Sequence, residues 1–185
     1  MPYLSGRHAA SLSGTCLKRP PAFSAVHTAS IYLGVVKEAV HRLKYRNQLT
    51  LANPLGQFLG QTVIQDGGAF FPHCILPVPL HPRRLRQRGD NQALEIARPV
   101  ARRLEVPLDT RLLQRIRQTP PQQGLPAAAR RSNLRNAFAL ASSAADLRIL
   151  LVDDVMTSGE TVRECCRTLL AGGAEEVQVA VFGRA

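Results

Sequence analysis

The sequence predicts an α/β domain: a mostly parallel sheet with helices on both faces. Two stretches carry that prediction. In the last third, an apolar run over 147–152 reads as a strand and 160–171 as a helix. Val177, Val179 and Val181 then alternate with Gln178 and Ala180 as a second strand. Strand, helix and strand in this order make a right-handed crossover between parallel neighbours. Earlier, Cys74-Ile75-Leu76-Pro77-Val78-Pro79 is a short apolar run suited to a buried strand that ends in a stiff, Pro-rich loop. At 185 residues the chain is one domain with a small appendage.

The elements follow in order. Residues 1–30 read as an irregular arm, rich in Ser, Gly, Ala and Pro to about Thr28. Residues 31–185 read as the domain. Over 31–46, Val35, Val36, Ala39, Val40 and Leu43 fall at helical spacing. Asn53 is the expected N-cap and Pro54 the first residue of a second helix, which presents Leu55, Phe58, Leu59, Thr62 and Val63 and runs to about Gln65. These helices, 31–66, are expected to form a hood over the C-terminal edge of the sheet, with 72–185 as the core and Phe70-Phe71 packed beside the first strand. A helix over 91–104 turns Leu94, Ala97, Ala101 and Leu104 inward, and Pro99 should kink or restart it. Residues 112–117 and 137–140 read as short strands. Between them lie a Pro-rich loop over 119–126, expected to be mobile, and a short basic helix over 127–136. The helix over 160–171 carries Val162, Cys165, Cys166, Leu169 and Leu170 on one stripe, read as packing residues, and stops at Gly172-Gly173. With the last strand ending near Ala185, no C-terminal hood is expected.

The formal net charge is +11, and residues 83–135 contribute +9 of it, with thirteen Arg, no Lys, two Asp and two Glu. A polyanionic partner suits such a surface: a phosphate-rich metabolite, a nucleic acid or an acidic protein. Arg outnumbers Lys 21 to 3. That bias fits bidentate phosphate contacts and an Arg-favouring genome equally well. Cys16, Cys74, Cys165 and Cys166 include no CxxC pair, so neither a disulfide framework nor a zinc site is expected and a reducing cytosol is the default. No secretory signal opens the chain, and no apolar run reaches membrane-spanning length.

The chemistry concentrates in 149–161, Ile-Leu-Leu-Val-Asp-Asp-Val-Met-Thr-Ser-Gly-Glu-Thr. A buried strand opens at its C-terminal end into the crevice where ligands bind in such sheets. The turn then enters a helix, whose first N–H groups and positive dipole end suit a phosphate dianion. Gly159 lets the backbone approach closely, and Thr157, Ser158 and Thr161 add hydroxyl donors. Asp153 and Asp154 stand just before the turn, where they can accept hydrogen bonds from sugar hydroxyls and hold a hydrated Mg²⁺. The alternative is an ordinary helix cap after a strand. Neither a P-loop nor a dinucleotide glycine fingerprint occurs.

This segment resembles the 5-phosphoribosyl-1-diphosphate (PRPP) signature of type I phosphoribosyltransferases. The resemblance implies that Val155, Met156, Thr157, Ser158, Gly159, Glu160 and Thr161 hold the ribose 5-phosphate, and that Asp153 and Asp154 contact the ribose hydroxyls and Mg²⁺. From Pro20 onward the chain resembles the ComF family (competence protein F and GntX). The resemblance rests on Pro20-Pro21-Ala22-Phe23, His41-Arg42-Leu43-Lys44-Tyr45-Arg46 and the run LPVPLHPRRLRQRGDNQ over 76–92. It continues through Arg117-Gln118-Thr119-Pro120-Pro121-Gln122, Arg131-Ser132-Asn133-Leu134-Arg135 and Asn136-Ala137-Phe138. It implies a type I phosphoribosyltransferase-like fold in a cytosolic bacterial protein linked to DNA uptake or utilisation. Two departures stand out. Ser13 takes the place of a cysteine that would pair with Cys16, so the family's zinc-finger module is expected to be truncated or lost, without zinc. Asp90 replaces an aromatic residue.

The same resemblance places Leu80, His81, Arg83 and Arg84 in the pyrophosphate-binding loop; a solvated Arg-rich turn is the alternative. It places Arg117, Gln122, Arg131, Asn133 and Arg135 in the mobile catalytic loop, where Arg117 and Arg135 join Asp153 and Asp154 as the catalytic candidates. A closing loop of this kind shields the reaction from water and stabilises departing pyrophosphate. Lys44 and Arg46 suit a helix C-terminus on dipole grounds alone. Two functions are expected. One is a phosphoribosyltransferase-type protein that binds PRPP or a related sugar phosphate with Mg²⁺. The other is an accessory module that binds single-stranded DNA or a competence protein. A second copy of the chain is a further candidate partner. The low aromatic content, 5%, argues against a base-stacking platform.

Overall fold

The computed structural model describes residues 21–45, 48–66, 68–119 and 132–184. Four strands form one sheet in the order β1 (Val26–Ile31), β6 (Glu176–Arg184), β5 (Arg148–Met156) and β2 (Cys74–Pro77), all parallel. A small antiparallel sheet pairs β3 (Leu113–Arg115) with β4 (Phe138–Leu140). Among the described residues the α-helices are α1 (Gly34–Tyr45), α2 (Ala52–Asp66), α3 (Pro82–Arg88), α4 (Gln92–Leu104) and α5 (Glu160–Ala171). None is long and apolar enough to cross a membrane among the described residues.

The two faces of the sheet are sorted by strand alternation. Ile149 and Leu151 of β5 join Val177, Val179 and Val181 of β6 in a cluster closed by Val162, Cys165, Cys166 and Leu169 of α5 and by the small sheet. Leu150, Val152 and Ala180 point the other way, into a cluster closed by Leu59 and Val63 of α2 and Ile96, Ala97 and Val100 of α4. Residues 149–152 are fully buried, so a slip of one residue would exchange every side chain between the clusters. The chain leaves β2 through α3 to α4, which covers one face, and leaves β5 toward α5 on the other. That divergence of adjacent strands opens a crevice at their C-terminal ends.

Several elements differ from the sequence expectation. Residues 26–31 form β1, not the end of an irregular arm, and α1 starts at Gly34. An edge strand whose hydrogen bonds run to β6, about 150 residues later, leaves no local signal. The second helix starts at Ala52 after a 3₁₀ turn, and the Asn53 side chain accepts a 3.3 Å hydrogen bond from Arg102 instead of capping. The segment expected as a hood places α2 on a face of the sheet, against α4, β1 and β6. Helix α4 runs unbroken through Pro99, whose ring is buried against Gly56 of α2; tertiary packing offsets the lost amide. Leu85-Arg86-Gln87-Arg88, read as part of a basic run, belongs to α3, which His81 caps. Strand β5 extends to Met156, four residues farther than expected. Phe70 is partly buried, but Phe71 is exposed. Residues 1–20, with Cys16, and most of the loop and basic helix expected over 119–136 lie outside the described residues.

Beyond its apolar packing, the small sheet is tied to α5 by a polar cluster. The Asn136 amide donates to Glu164 Oε1 at 2.7 Å, Arg167 pairs with the same carboxylate at 2.7 Å, and Arg167 also donates to Asn136 Oδ1 at 3.2 Å. Asn136 sits at φ +55°, a left-handed conformation that Asn tolerates.

Two predictions follow from this packing. A Cβ at Gly56 would lie 2.2 Å from Pro99 Cγ and 2.5 Å from the Ile96 carbonyl oxygen. Gly56→Ala is therefore expected to force α2 off α4 and to cost about 2–3 kcal/mol in urea unfolding. Gly172→Ala meets chiefly the end of the Leu140 side chain, which can turn aside, so its loss should be smaller. For Glu164, burial raises the carboxyl pKa, but the hydrogen bonds from Arg167 and the Asn136 amide outweigh it and hold the group below its ordinary value. A folded pKa below the unfolded one gives stability that is present above the unfolded value, about 4.3, and is lost as pH falls through the folded value. Wild type is expected to exceed Glu164→Gln by about 1–2 kcal/mol at neutral pH, with the gap closing as carboxylates protonate below about pH 4.5. Urea midpoints across that range check it; equal midpoints at neutral pH would show that the tether adds nothing.

Candidate functional site

Strand β5 ends at Met156, Thr157 and Ser158 turn outward into solvent, and Gly159 adopts φ +72° as the N-cap of α5. A side chain at that φ would be strained, so glycine is what permits the abrupt entry into the helix. As N-cap, Gly159 has no side chain to bond the first turn of α5. Beside this turn lies an open hollow of about 30 Å³ lined by Asp153 and 155–162. The hollow is roughly one water molecule in size, so a larger anion would seat across its mouth. Two carboxylates there oppose an anion, Glu160 in the first turn and Asp153 at the end of β5. All seven residues expected to hold a 5-phosphate line this hollow.

The two acids do not act as a matched pair. They are successive residues of β5 and so project from opposite faces of the sheet. Asp153 lines the hollow, whereas Asp154, 7% exposed, does not. Asp153 Oδ1 accepts from the Asp154 amide at 2.9 Å, and Asp154 Oδ1 from the Val155 amide at 2.7 Å. Among the described residues no group of three or more His, Cys, Asp or Glu side chains is placed to hold a metal ion.

Across the crevice, Val78 still pairs with β5, its amide donating to the Val152 carbonyl at 2.8 Å, and Asn91 donates to the Val78 carbonyl at 3.1 Å. These bonds hold the exit of β2, where Leu80 and His81 are half-buried. His81 caps α3, its Nδ1 accepting from the Arg83 amide at 3.3 Å, with Pro82 in the first turn. Arg83 reaches out to Gln118 at 3.3 Å, so α3 meets the exit of β3. Arg84 is half-buried.

Beyond β3, Arg117 Nη2 donates to the carbonyls of Asn133 and Arg135, at 2.9 and 2.6 Å. It thus joins the two sides of the stem from which the expected catalytic loop departs. Gln122 and Arg131 of that loop lie outside the described residues. The sequence reading missed Arg115. Its side chain is 8% exposed, its guanidinium lies 5.6 Å from the Phe138 ring centroid, and Nη2 donates to Thr119 Oγ1. Burial, then the neighbouring charge of Arg84, depress its pKa. The signal was there: with Leu113 inward and Gln114 outward, alternation puts Arg115 inward. Glu164 was also missed; nothing in its helical position foretold a bond to Asn136. Burial pushes the thiols of Cys74 and Cys166 up to about 11 and about 12, so both are packing groups, not nucleophiles.

Residues 90–184 match the phosphoribosyl transferase domain family. The chain is 36% identical over 179 residues to DNA utilization protein YhgH of Salmonella typhimurium, covering 95% of this chain and 79% of that protein. It is 35% identical over 179 residues to competence protein F of Haemophilus influenzae, covering 93% and 78%. Among solved structures, glutamine PRPP amidotransferase from B. subtilis superposes over 70% of this chain and 26% of its own, with a TM-score of 0.47 and 21% identity. A parallel sheet that releases a glycine turn into α5, a sequence matching the domain over its second half, and relatives at this level over nearly the whole chain agree: the chain belongs to the phosphoribosyl transferase domain family and, within it, to the competence protein F group.

Proposed function

We propose that this protein binds PRPP or a related phosphoribosyl ligand with Mg²⁺ at the C-terminal ends of β5 and β2, in the service of DNA uptake or utilisation. The observation that carries the proposal is the turn at 157–159, where an αL glycine hands a buried strand to a helix beside a hollow lined by Asp153, Thr157, Ser158 and Thr161. In this reading the 5-phosphate accepts from the first amides of α5 and from the hydroxyls of Thr157, Ser158 and Thr161, and Asp153 accepts from the ribose. One carboxylate beside the hollow, Asp153, with Asp154 on the other face of the strand, suits Mg²⁺ better than a metal needing a full protein cage, because Mg²⁺ keeps its waters and would take phosphate oxygens of the ligand. Bound Mg²⁺ would neutralise charge on the diphosphate. The diphosphate lies toward Arg83 and Arg84. Transfer breaks the bond from C1 to the pyrophosphate oxygen and forms one from C1 to the acceptor, so the protein's work is positioning and charge stabilisation.

A second reading takes the same site as a holder for the sugar-phosphate of single-stranded DNA in an accessory role. The exposed Arg83 and Arg86 of α3 favour it, as does the naming of the relatives for DNA utilization and competence. The absence of Trp and the small number of Tyr weaken it.

Thermal stabilisation by PRPP with Mg²⁺, and by oligonucleotides, separates the two. PRPP is expected to stabilise the wild type. Asp153→Asn and Thr161→Val should each weaken PRPP about tenfold, the loss of one charge-assisted hydrogen bond. Pyrophosphate release in a screen of nucleobase and amine acceptors would then identify the reaction. Oligonucleotide stabilisation that falls with salt and survives both substitutions, with no response to PRPP or ribose 5-phosphate, would replace the first reading by the second.

A further inference from the structure

We propose that Arg115 is the fixed positive charge at the floor of the crevice that binds the diphosphate end of the ligand. The inference rests on the phosphoribosyl reading above and extends it to a residue outside the turn and the two loops. Arg115 is buried, yet its Nε is the one buried side-chain polar atom without a hydrogen-bond partner among the described residues. A guanidinium is always charged and brings five donors. Burying one with a donor unmet is unfavourable for stability alone.

Its surroundings hold it in place. The Phe138 ring backs the guanidinium and Thr119 takes Nη2. The bond from Arg83 to Gln118 brings the first turn of α3 against the same strand exit. The charges of Arg84, Arg117 and Asp153 act on it, and Asp153 also borders the hollow at the turn, so three guanidinium groups share the field of the carboxylate next to the 5-phosphate turn. An arriving dianion offsets that repulsion. Because Arg115 is buried, salt screens its attraction less than that of the exposed Arg83.

The test uses inorganic pyrophosphate and ribose 5-phosphate, each with Mg²⁺, as separate probes of the full-length protein, with folding checked by circular dichroism. Arg115→Met should weaken pyrophosphate about tenfold or more and ribose 5-phosphate less than about twofold, and Arg115→Lys should recover most of the pyrophosphate affinity. If Arg115→Met does not fold, Arg115→Gln serves as the neutral variant, since it keeps a polar end toward Thr119. Three results overturn the proposal while leaving the phosphoribosyl reading standing: unchanged pyrophosphate affinity in the neutral variant, equal weakening of both probes, or a wild type that binds ribose 5-phosphate but not pyrophosphate. A wild type that binds neither probe removes the reading and the proposal together.

Discussion

Strand β5 governs the site because it is held on every side. For residues 149–152 it has β2 and β6 as parallel neighbours and an apolar cluster on each face. A strand satisfied along both edges and buried on both faces has no soft direction. The backbone at Met156 is therefore delivered to a defined place, and Gly159 needs only to turn it. The direction of α5 follows, since Val162, Cys165, Cys166 and Leu169 lock that helix onto the face presented by Ile149 and Leu151. In the phosphoribosyl reading, a phosphate held largely by backbone amides has few side chains to adjust its geometry, so its precision comes from this packing.

The opposite side of the crevice is assembled differently. Its guanidinium groups come from α3 and from the exit of β3. The small sheet is packed into the apolar cluster of α5 through Leu113 and Phe138 and is tied to that helix by Glu164 and Asn136. Helix α3 has no buried residue and is held by its His81 cap and the bond from Arg83 to Gln118, and regions with few apolar contacts open most readily. In the phosphoribosyl reading, the diphosphate end of the ligand meets this looser helix.

Much of this arrangement was legible in the sequence, for a physical reason. The β5–turn–α5–β6 unit is local: its strand, glycine, helix stripe and next strand lie within about forty consecutive residues, and each obeys its own period. The predicted helix over 160–171 coincides with α5. What escaped detection depends on distant partners. Strand β1 exists because β6 offers it an edge. Pro99 stays within a helix because Gly56 makes room for its ring, and His81 became a helix cap in a run that reads only as basic. Arg115 lies between these cases. Its inward position follows from strand alternation, but a reading that treats arginines as surface charge passes over it.

The paired acids show how a structural requirement and a binding role share the same atoms. Strand β2 pairs with β5 only through Val152, whereas β5 continues to Met156 beside β6 alone. The amides beyond that point have lost one neighbouring strand, and an unmet amide near a core is costly. Asp153 and Asp154 each commit one oxygen to the amide that follows, which stiffens the overhang. The alternation of the strand then sends Asp153 to the hollow beside α5 and Asp154 to the face shared with α4. An acid pair at a strand end can thus support its own backbone and still offer oxygens on both sides of the sheet. In the phosphoribosyl reading that division places the contact nearest the 5-phosphate turn on Asp153, while Asp154 acts from the other face of the same strand.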